Sequence, residues 1–422
     1  MMKLPERKNF RQGRRKVLKY DFETLLDRRG HDAIAVDAVG NPLWKGFAPT
    51  APKEGFDCIP MWVADMNFPV PKSVQEAMIR RIEHPAFGYF SPSDEYYQAI
   101  IGWHARRKGV SDLDRSVIGY ENGVLGGLVS ALKVFAAPGD KVLLHSPTYM
   151  GFTHSVEDAG FKIVHSPLVR DADGVWRMDF EDMERKIREH HIHAAVFCNP
   201  HNPCGRVWTK EEITEAMAVY ERNHVGVISD EIWSDLLIGG AKYTPAQSVS
   251  DWAKTHTVAL YAPSKTFNLA GLIGSYHVIY DKTLRERVES ISSKVLYNSM
   301  NVLSQYALIG AYSAEGESWL DQLLPVLTEN VDLGADCVRD RFDGVSAFRS
   351  EGTYMMFLDC SGWLAAHGMT PGELLQKGWD HGVGWQDGKL FQAPECIRLN
   401  LASPTHRIRE AFERMDKYIF NA

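Results

Sequence analysis

Three polar side chains stand at the ends of apolar, strand-like runs, where they could address one ligand. Lys265 closes "TVALYAPSK", among small neighbours where an ammonium is costly. A lysine there either carries its charge on an exposed turn or has a task served by a lowered pKa, such as Schiff-base formation. Asp230 ends the run in "VGVISDEIW". A buried carboxylate needs a cationic or N–H partner, so Asp230 is either an N-cap or ion-pair residue, or the counter-charge of a ligand cation such as a protonated pyridine nitrogen. Asn202 lies in "CNPHNPCGR", a turn of Asn, Pro and Gly that fixes its orientation. A fourth feature, "YENGVLGGLVSALKVFAAPGD", is a Gly-rich turn leading into a helix ended by Pro138 and Gly139. The N–H groups of Gly123, Val124 and Leu125 would there face a phosphate, aided by the helix dipole. Packing alone also accounts for these glycines, and the pattern is neither the Walker nor the Rossmann fingerprint.

These residues need a sheet to deliver them to one side. Continuously apolar, β-rich runs at 141–147, 161–167, 194–200, 225–231, 257–265 and 273–280 predict strands buried on both faces, and helical patterns lie between them. That is α/β architecture. "TKEEITEAMAVYERN" opens with a capping box, Thr209 and Glu212, and lines Ile213, Met217 and Tyr220 on one face. Similar stripes are Val74, Met78 and Ile82 in an earlier helix, and Ile408, Ala411, Phe412, Met415 and Ile419 in the last one. All read as core packing. A helical stretch from about Asp281 to Tyr312 reads as the connection between a large and a small domain, which gives an N-terminal arm with part of the small domain (1–75), a large ligand-binding domain (76–311) and a C-terminal small domain (312–422).

The bulk properties narrow the function. A chain of 422 residues exceeds the size at which a single core keeps growing. With 45% hydrophobic and 24% charged residues and a net charge of −7, it has no electrostatic reason to bind nucleic acid. The start, "MMKLPERKNFRQGRRKVLKYDF", is basic without an apolar core and reads as a solvated arm; the longest apolar runs are too short to span a bilayer, and a cytoplasmic location is the default expectation. Six irregularly spaced cysteines argue for a reducing compartment. Cys198, His201 and Cys204 lack a second ligand cluster at zinc-site spacing, and His190, His191 and His193 read as the polar end of a helix, so no metal is expected.

The order and spacing of Asn202, Asp230 and Lys265, with "GVLGG" before and "IRLNLASP" after, resemble those of fold-type I pyridoxal-phosphate enzymes of the aminotransferase class I/II family. More narrowly, "DRRG", "MWVADMNFPVP", "FGYFSPSDEYYQAIIGWHARRKG", "NPHNPCGRVWTKEEI", "SDEIWSDL" and "APSKTFNLAGL" are similar to the MalY/PatB branch of cystathionine β-lyase-like C–S lyases. The similarity runs from about Asp21 to the C-terminus. It implies a large domain with a mostly parallel seven-stranded sheet flanked by helices, a smaller α+β C-terminal domain, and pyridoxal 5′-phosphate as cofactor. It also implies roles. Lys265 would be the Schiff-base lysine, Asp230 would keep the pyridine nitrogen protonated, Asn202 would bond the ring hydroxyl oxygen, and Tyr149 would stack on the ring. Trp233 would lie beside the cofactor, Gly123, Val124, Leu125 and Ser264 would hold its phosphate, and Tyr89 would reach the phosphate in the other subunit of a homodimer. Arg398, with Asn202 beside it, would clamp the carboxylate of an amino-acid substrate.

The resemblance implies cleavage of cystathionine or related cysteine S-conjugates to a thiol, pyruvate and ammonia. An aminotransferase and a cofactor-binding regulatory protein of low turnover are the alternatives. Three positions depart from the branch. Trp233 stands where Tyr or His is common, Ala262 where many relatives have a phosphate-binding Ser, and Asn67 where a second Asp is usual. They bear on substrate identity more than on the cofactor.

Overall fold

The computed structural model describes residues 19–421, so residues 1–18 of the basic segment lie outside it. Each of the six apolar runs forms a strand of one seven-stranded sheet. In chain order the strands are β1 (Ile118–Glu121), β2 (Lys141–Ser146), β3 (Lys162–Pro167), β4 (Ala194–Cys198), β5 (Gly226–Asp230), β6 (Thr257–Tyr261) and β7 (Ser275–Val278). Their spatial order is β1-β7-β6-β5-β4-β2-β3, and β7 alone runs against its neighbours. Strands β4 and β6 are buried at every position, as expected where helices cover both faces. The strand not marked by an apolar run, β1, is only four residues long and half-buried in its middle.

Helices α1 (Lys72–Ile82), α2 (Asp94–Trp103), α3 (Gly123–Phe135), α4 (Met150–Asp158), α5 (Phe180–His190), α6 (Lys210–Arg222), α7 (Lys282–Ser290), α8 (Val302–Ala311), α9 (Ala314–Arg341) and α10 (Thr405–Met415) supply most of the cover. The capping box of α6 forms as the sequence predicts, and Ile213, Met217 and Tyr220 are buried. The stripe on α10 is buried too, and it continues to Ile419 in a closing π-turn. His190 ends α5, and His191 takes up a left-handed conformation that stops it. On α1 the expectation needs correction: Val74 and Ala77 are buried, whereas Ile82 is 51% exposed. Steps of four residues drift about 40° each around a 3.6-residue helix, so by Ile82 the row has left the core face.

The stretch from Asp281 to Tyr312 is not one helix. It breaks between α7, extended by a π-turn at Ile291–Val295, and α8, where Asn301 caps the new start. The longest helix is α9, 28 residues capped by Ser313, with Leu320, Leu323, Leu327 and Val331 on its buried face. A second, antiparallel sheet follows: β8 (Ser346–Ala347), β9 (Met355–Asp359), β10 (Gln386–Asp387) and β11 (Cys396–Asn400), in the order β8-β9-β11-β10. Phe357 on β9 and Gln386 on β10 flank Arg398 on β11.

Candidate active site

The parallel strands end on one side of the sheet, and the turns that follow them carry the candidate residues. After β1, Asn122 leads into α3 with no side-chain cap, leaving the first N–H groups of Gly123, Val124 and Leu125 without that partner. Gly123 has φ 78°, a left-handed conformation that a glycine adopts at little cost. After β2, Tyr149 precedes α4, and its ring folds back over Gly151, where any Cβ would collide with it.

Beyond β4, the turn carrying Asn202 is pinned from both sides. His201 and Arg206 bridge, Gly205 N donates to His201 O at 2.7 Å, and Asn199 accepts from Trp208 N at 3.1 Å. Asp230 is the last residue of β5, and Lys265 lies four residues past the end of β6.

These side chains line one inner cavity of about 350 Å³: Asn202, Asp230, Trp233, Ser264, Lys265 and Tyr149, with the start of α3. Asp230 is 5% exposed, and among the described residues its carboxylate accepts one hydrogen bond, from Ile232 N at 3.0 Å. Burial pushes its carboxyl up to about 7 against the opposing pull of that N–H and of Lys265. The Lys265 amine donates to Ala64 O at 2.9 Å, an oxygen that also accepts from Tyr354 OH at 3.0 Å. Burial, and after it the Arg398 guanidinium, holds this amine down to about 8. The Trp233 ring stands edge-on to Tyr354 and lies 5.7 Å from the Lys265 nitrogen.

An outer compartment of about 860 Å³ shares Ala64, Tyr149 and Lys265 with the inner one and adds Arg398. Arg398 is 2% exposed, donates to Asn202 Oδ1 at 3.2 Å, to Trp62 O at 2.9 Å and to Gln386, and lies over the Phe391 ring. Its Nε has no partner, and no carboxylate pairs with it among the described residues. A buried guanidinium so placed is a receptor for an anion.

Of the sequence-predicted site residues, Lys265, Asp230, Asn202, Tyr149, Trp233, Ser264, Arg398 and the Gly123–Leu125 turn converge. Tyr89 does not. It is fully exposed and lines a separate cavity of about 720 Å³ with Tyr120 and Asn298. Asn67 is not in the pocket either; it accepts from Arg28 at 3.2 Å, and Arg28 also grips Asp65 through both terminal nitrogens. Ala262 lines the inner cavity beside Ser264.

Sequence reasoning missed the supports. Asn268 binds the backbone of Met66 through both its oxygen and its nitrogen, holding Ala64 over Lys265. Thr266 donates to Asp235 at 3.2 Å, and Asp235 forms a buried ion pair with Lys108 at 2.6 Å. No sequence signal marked the second set, because Lys108 ends the basic run "HARRK" and Asp235 follows Asp230 and Glu231 in "SDEIWSDL".

The sequence profile of the aminotransferase class I and II family matches residues 57–415. The cystathionine β-lyase PatB of Bacillus subtilis is 36% identical over 357 residues, covering 85% of this chain and 88% of that one. Protein MalY of Escherichia coli is 29% identical over 344 residues, covering 81% and 84%. Among solved structures, the pyridoxal-phosphate-bound C–S lyase of Staphylococcus hominis superposes with a TM-score of 0.84 at 27% identity, covering 96% of this chain and 99% of that one. Cystalysin of Treponema denticola, whose structure contains pyridoxal 5′-phosphate, gives 0.85 at 28% identity, covering 95% and 98%. The chain belongs to the aminotransferase class I and II family.

Proposed function

We propose that this protein is a pyridoxal 5′-phosphate-dependent C–S β-lyase that cleaves cysteine S-conjugates, cystathionine among them, to a thiol, pyruvate and ammonia. The observation that carries this reading is the 36% identity to a cystathionine β-lyase over 85% of the chain, joined to a pocket in which Lys265 and an unpaired, buried Arg398 share one opening.

The donor set fits the cofactor. Asp230, buried with one N–H partner, calls for a cation such as a pyridinium nitrogen. Asn202 gives its oxygen to Arg398 and keeps its amide nitrogen to donate to a ring oxygen. The uncapped start of α3, with Ser264 nearby, suits a phosphate, and Tyr149 offers a ring face. When bound, the group supplies an electron sink for the pair left when an amino acid loses its Cα proton.

The chain does the rest. Arg398 holds the substrate carboxylate and so fixes which Cα bond faces Lys265. The Lys265 amine, already held below its ordinary pKa, takes the Cα proton. A thiolate then departs from Cβ and is protonated, and one water is consumed overall per thiol, pyruvate and ammonia released.

The reading includes a homodimer in which Tyr89 reaches the phosphate in the partner's site. Its support is that Tyr89 and Phe87 are both exposed and line one cavity. A cytoplasmic location belongs to the same reading; no helix among the described residues is long and apolar enough to cross a membrane.

The deciding assay gives purified protein L-cystathionine with and without 2-oxoglutarate. Pyruvate and free thiol without the oxo acid support the lyase. Glutamate formed only with the oxo acid makes the protein an aminotransferase and overturns it.

A further inference from the structure

The turn read above as the phosphate site is underpinned by a buried pair that the chemistry at Lys265 does not use. Glu121, the last residue of β1, is fully buried two residues before Gly123. Its carboxylate faces His277 Nδ1 on β7 at 2.9 Å and accepts from Ser130 Oγ on α3 at 3.0 Å. It also accepts from Ser292 Oγ at 2.9 Å and from Asn298 Nδ2 at 3.2 Å, in the segment after α7. All four partners can donate, and a carboxylate can accept from them all. Two glycines make room for the pair: a Cβ at Gly119, opposite His277, would lie 2.3 Å from its ring, and one at Gly127 would lie 3.0 Å from the Glu121 side chain.

The pair is charge-balanced only while His277 holds its proton. Burial opposes the charged ring, but Glu121 on β1 and Glu289 on α7, whose carboxylate lies 3.9 Å from Nε2, outweigh burial and raise the pKa above the ordinary histidine value. The strand neighbours of His277 are uncharged, Gly119 on β1 and Leu260 on β6. Once the proton leaves, a buried carboxylate stands without its counter-charge under the first turns of a helix whose dipole favours an anion at its start. The same bonds tie α3 to β7 and to the 292–298 segment, and so hold the first N–H groups of the helix in one place.

We propose that Glu121 and His277 are positioning residues for the cofactor's phosphate, and that the protein holds this phosphate tightly only while His277 is protonated. The proposal rests on the reading above that the start of α3 receives the phosphate. Neither residue lines the cofactor cavity; Glu121 acts through α3 and through its charge, and His277 through Glu121.

The test measures ligand binding to the full chain freed of cofactor, with its subunit contacts kept, by calorimetry at pH 7 and pH 9. The probes are 4-deoxypyridoxine 5′-phosphate and 4-deoxypyridoxine, which share the ring, lack the aldehyde and do not react with Lys265. Their affinity ratio isolates the phosphate, a dianion at both pH values because its second pKa is about 6. In the parent this ratio is expected to fall about fivefold or more between pH 7 and pH 9, as His277 loses its proton. The Lys265 amine, at about 8, titrates in the same window, and Glu121→Gln keeps that contribution while removing the buried charge. Glu121→Gln is therefore expected to lose most of the fall, and His277→Gln, which leaves Glu121 without a cation at any pH, to give a low ratio at both. A ratio independent of pH in the parent overturns the proposal, as does a fall of the same size in Glu121→Gln; a merely structural role would weaken both probes alike and leave the ratio as in the parent. Equal affinity of the parent for the two probes at pH 7 overturns the phosphate reading of α3 itself. No turnover is measured, so this test and the lyase assay fail independently.

Discussion

Arg398, in the middle of β11, donates to the side chain of Asn202 at 3.2 Å, tying the antiparallel sheet to the turn that follows β4. The guanidinium donates to neutral oxygens alone, from Asn202, Trp62 and Gln386, and its Nε has no partner among the described residues. Burial without an anion holds its pKa down to about 10. On the proposed reading, a substrate carboxylate brought to Arg398 would gain a charge-assisted pair at a site already desolvated. Arg398→Ala is expected to weaken binding of carboxylate-bearing substrates by about 2 kcal/mol or more, roughly thirtyfold in KM. An unchanged KM would remove Arg398 from the substrate site.

Lys265 faces the cavities rather than the core, so its replacement removes chemistry and little packing. Lys265→Ala is expected to fold and to lose turnover. In cofactor-free protein the amine should react with an acylating reagent along a titration centred near pH 8, because burial, then Arg398, disfavours its charged form. Mass-spectrometric labelling against pH reads this directly. The midpoint should move up in Arg398→Ala; a midpoint at the ordinary lysine value in the unaltered protein would contradict the desolvation argument.

The sheet was legible because strands buried on both faces must be apolar throughout, and a polar residue at the end of such a run is conspicuous. Asp230 and Lys265 stand out for that reason. Arg398 was assigned only through resemblance, since one arginine in "CIRLN" looks like any strand residue until Gln386 and Asn202 are seen around it. The clamp of Arg28 on Asp65 and Asn67 and the Lys108–Asp235 pair behind Thr266 join residues far apart in the chain. No local periodicity encodes such contacts. The break at 296–301 was hidden because its flanks are both helical.

Asp230 makes the cofactor-free fold pay for function. Its carboxyl, raised to about 7, is neutral in the native state at pH values where the unfolded chain ionises it. Between the ordinary aspartate value and pH 7 the native state thus binds more protons, and stability falls as pH rises through this window. Asp230→Asn removes that penalty. The cofactor-free variant should be more stable than the parent by a few kcal/mol at pH 8 and by much less at pH 4, while lyase turnover drops steeply. Chemical denaturation at the two pH values checks the sign; equal stability of variant and parent at pH 8 would show that the empty pocket already solvates the acid.

His145 on β2 and His201 in the Asn202 turn act in the opposite sense. Both are buried, and burial is the main cause that lowers them, to about 4 and about 3. Each is neutral in the native state but takes a proton in the unfolded chain below about pH 6.5. The unfolded state then binds more protons, so their contribution is complete above pH 6.5 and is lost as pH falls toward the native values. His145→Phe, which keeps a ring of similar size and cannot be charged, should flatten the decline in stability between pH 6.5 and 4. Urea titrations across that range measure it, and a slope identical to that of the parent would place the acid sensitivity elsewhere in the fold.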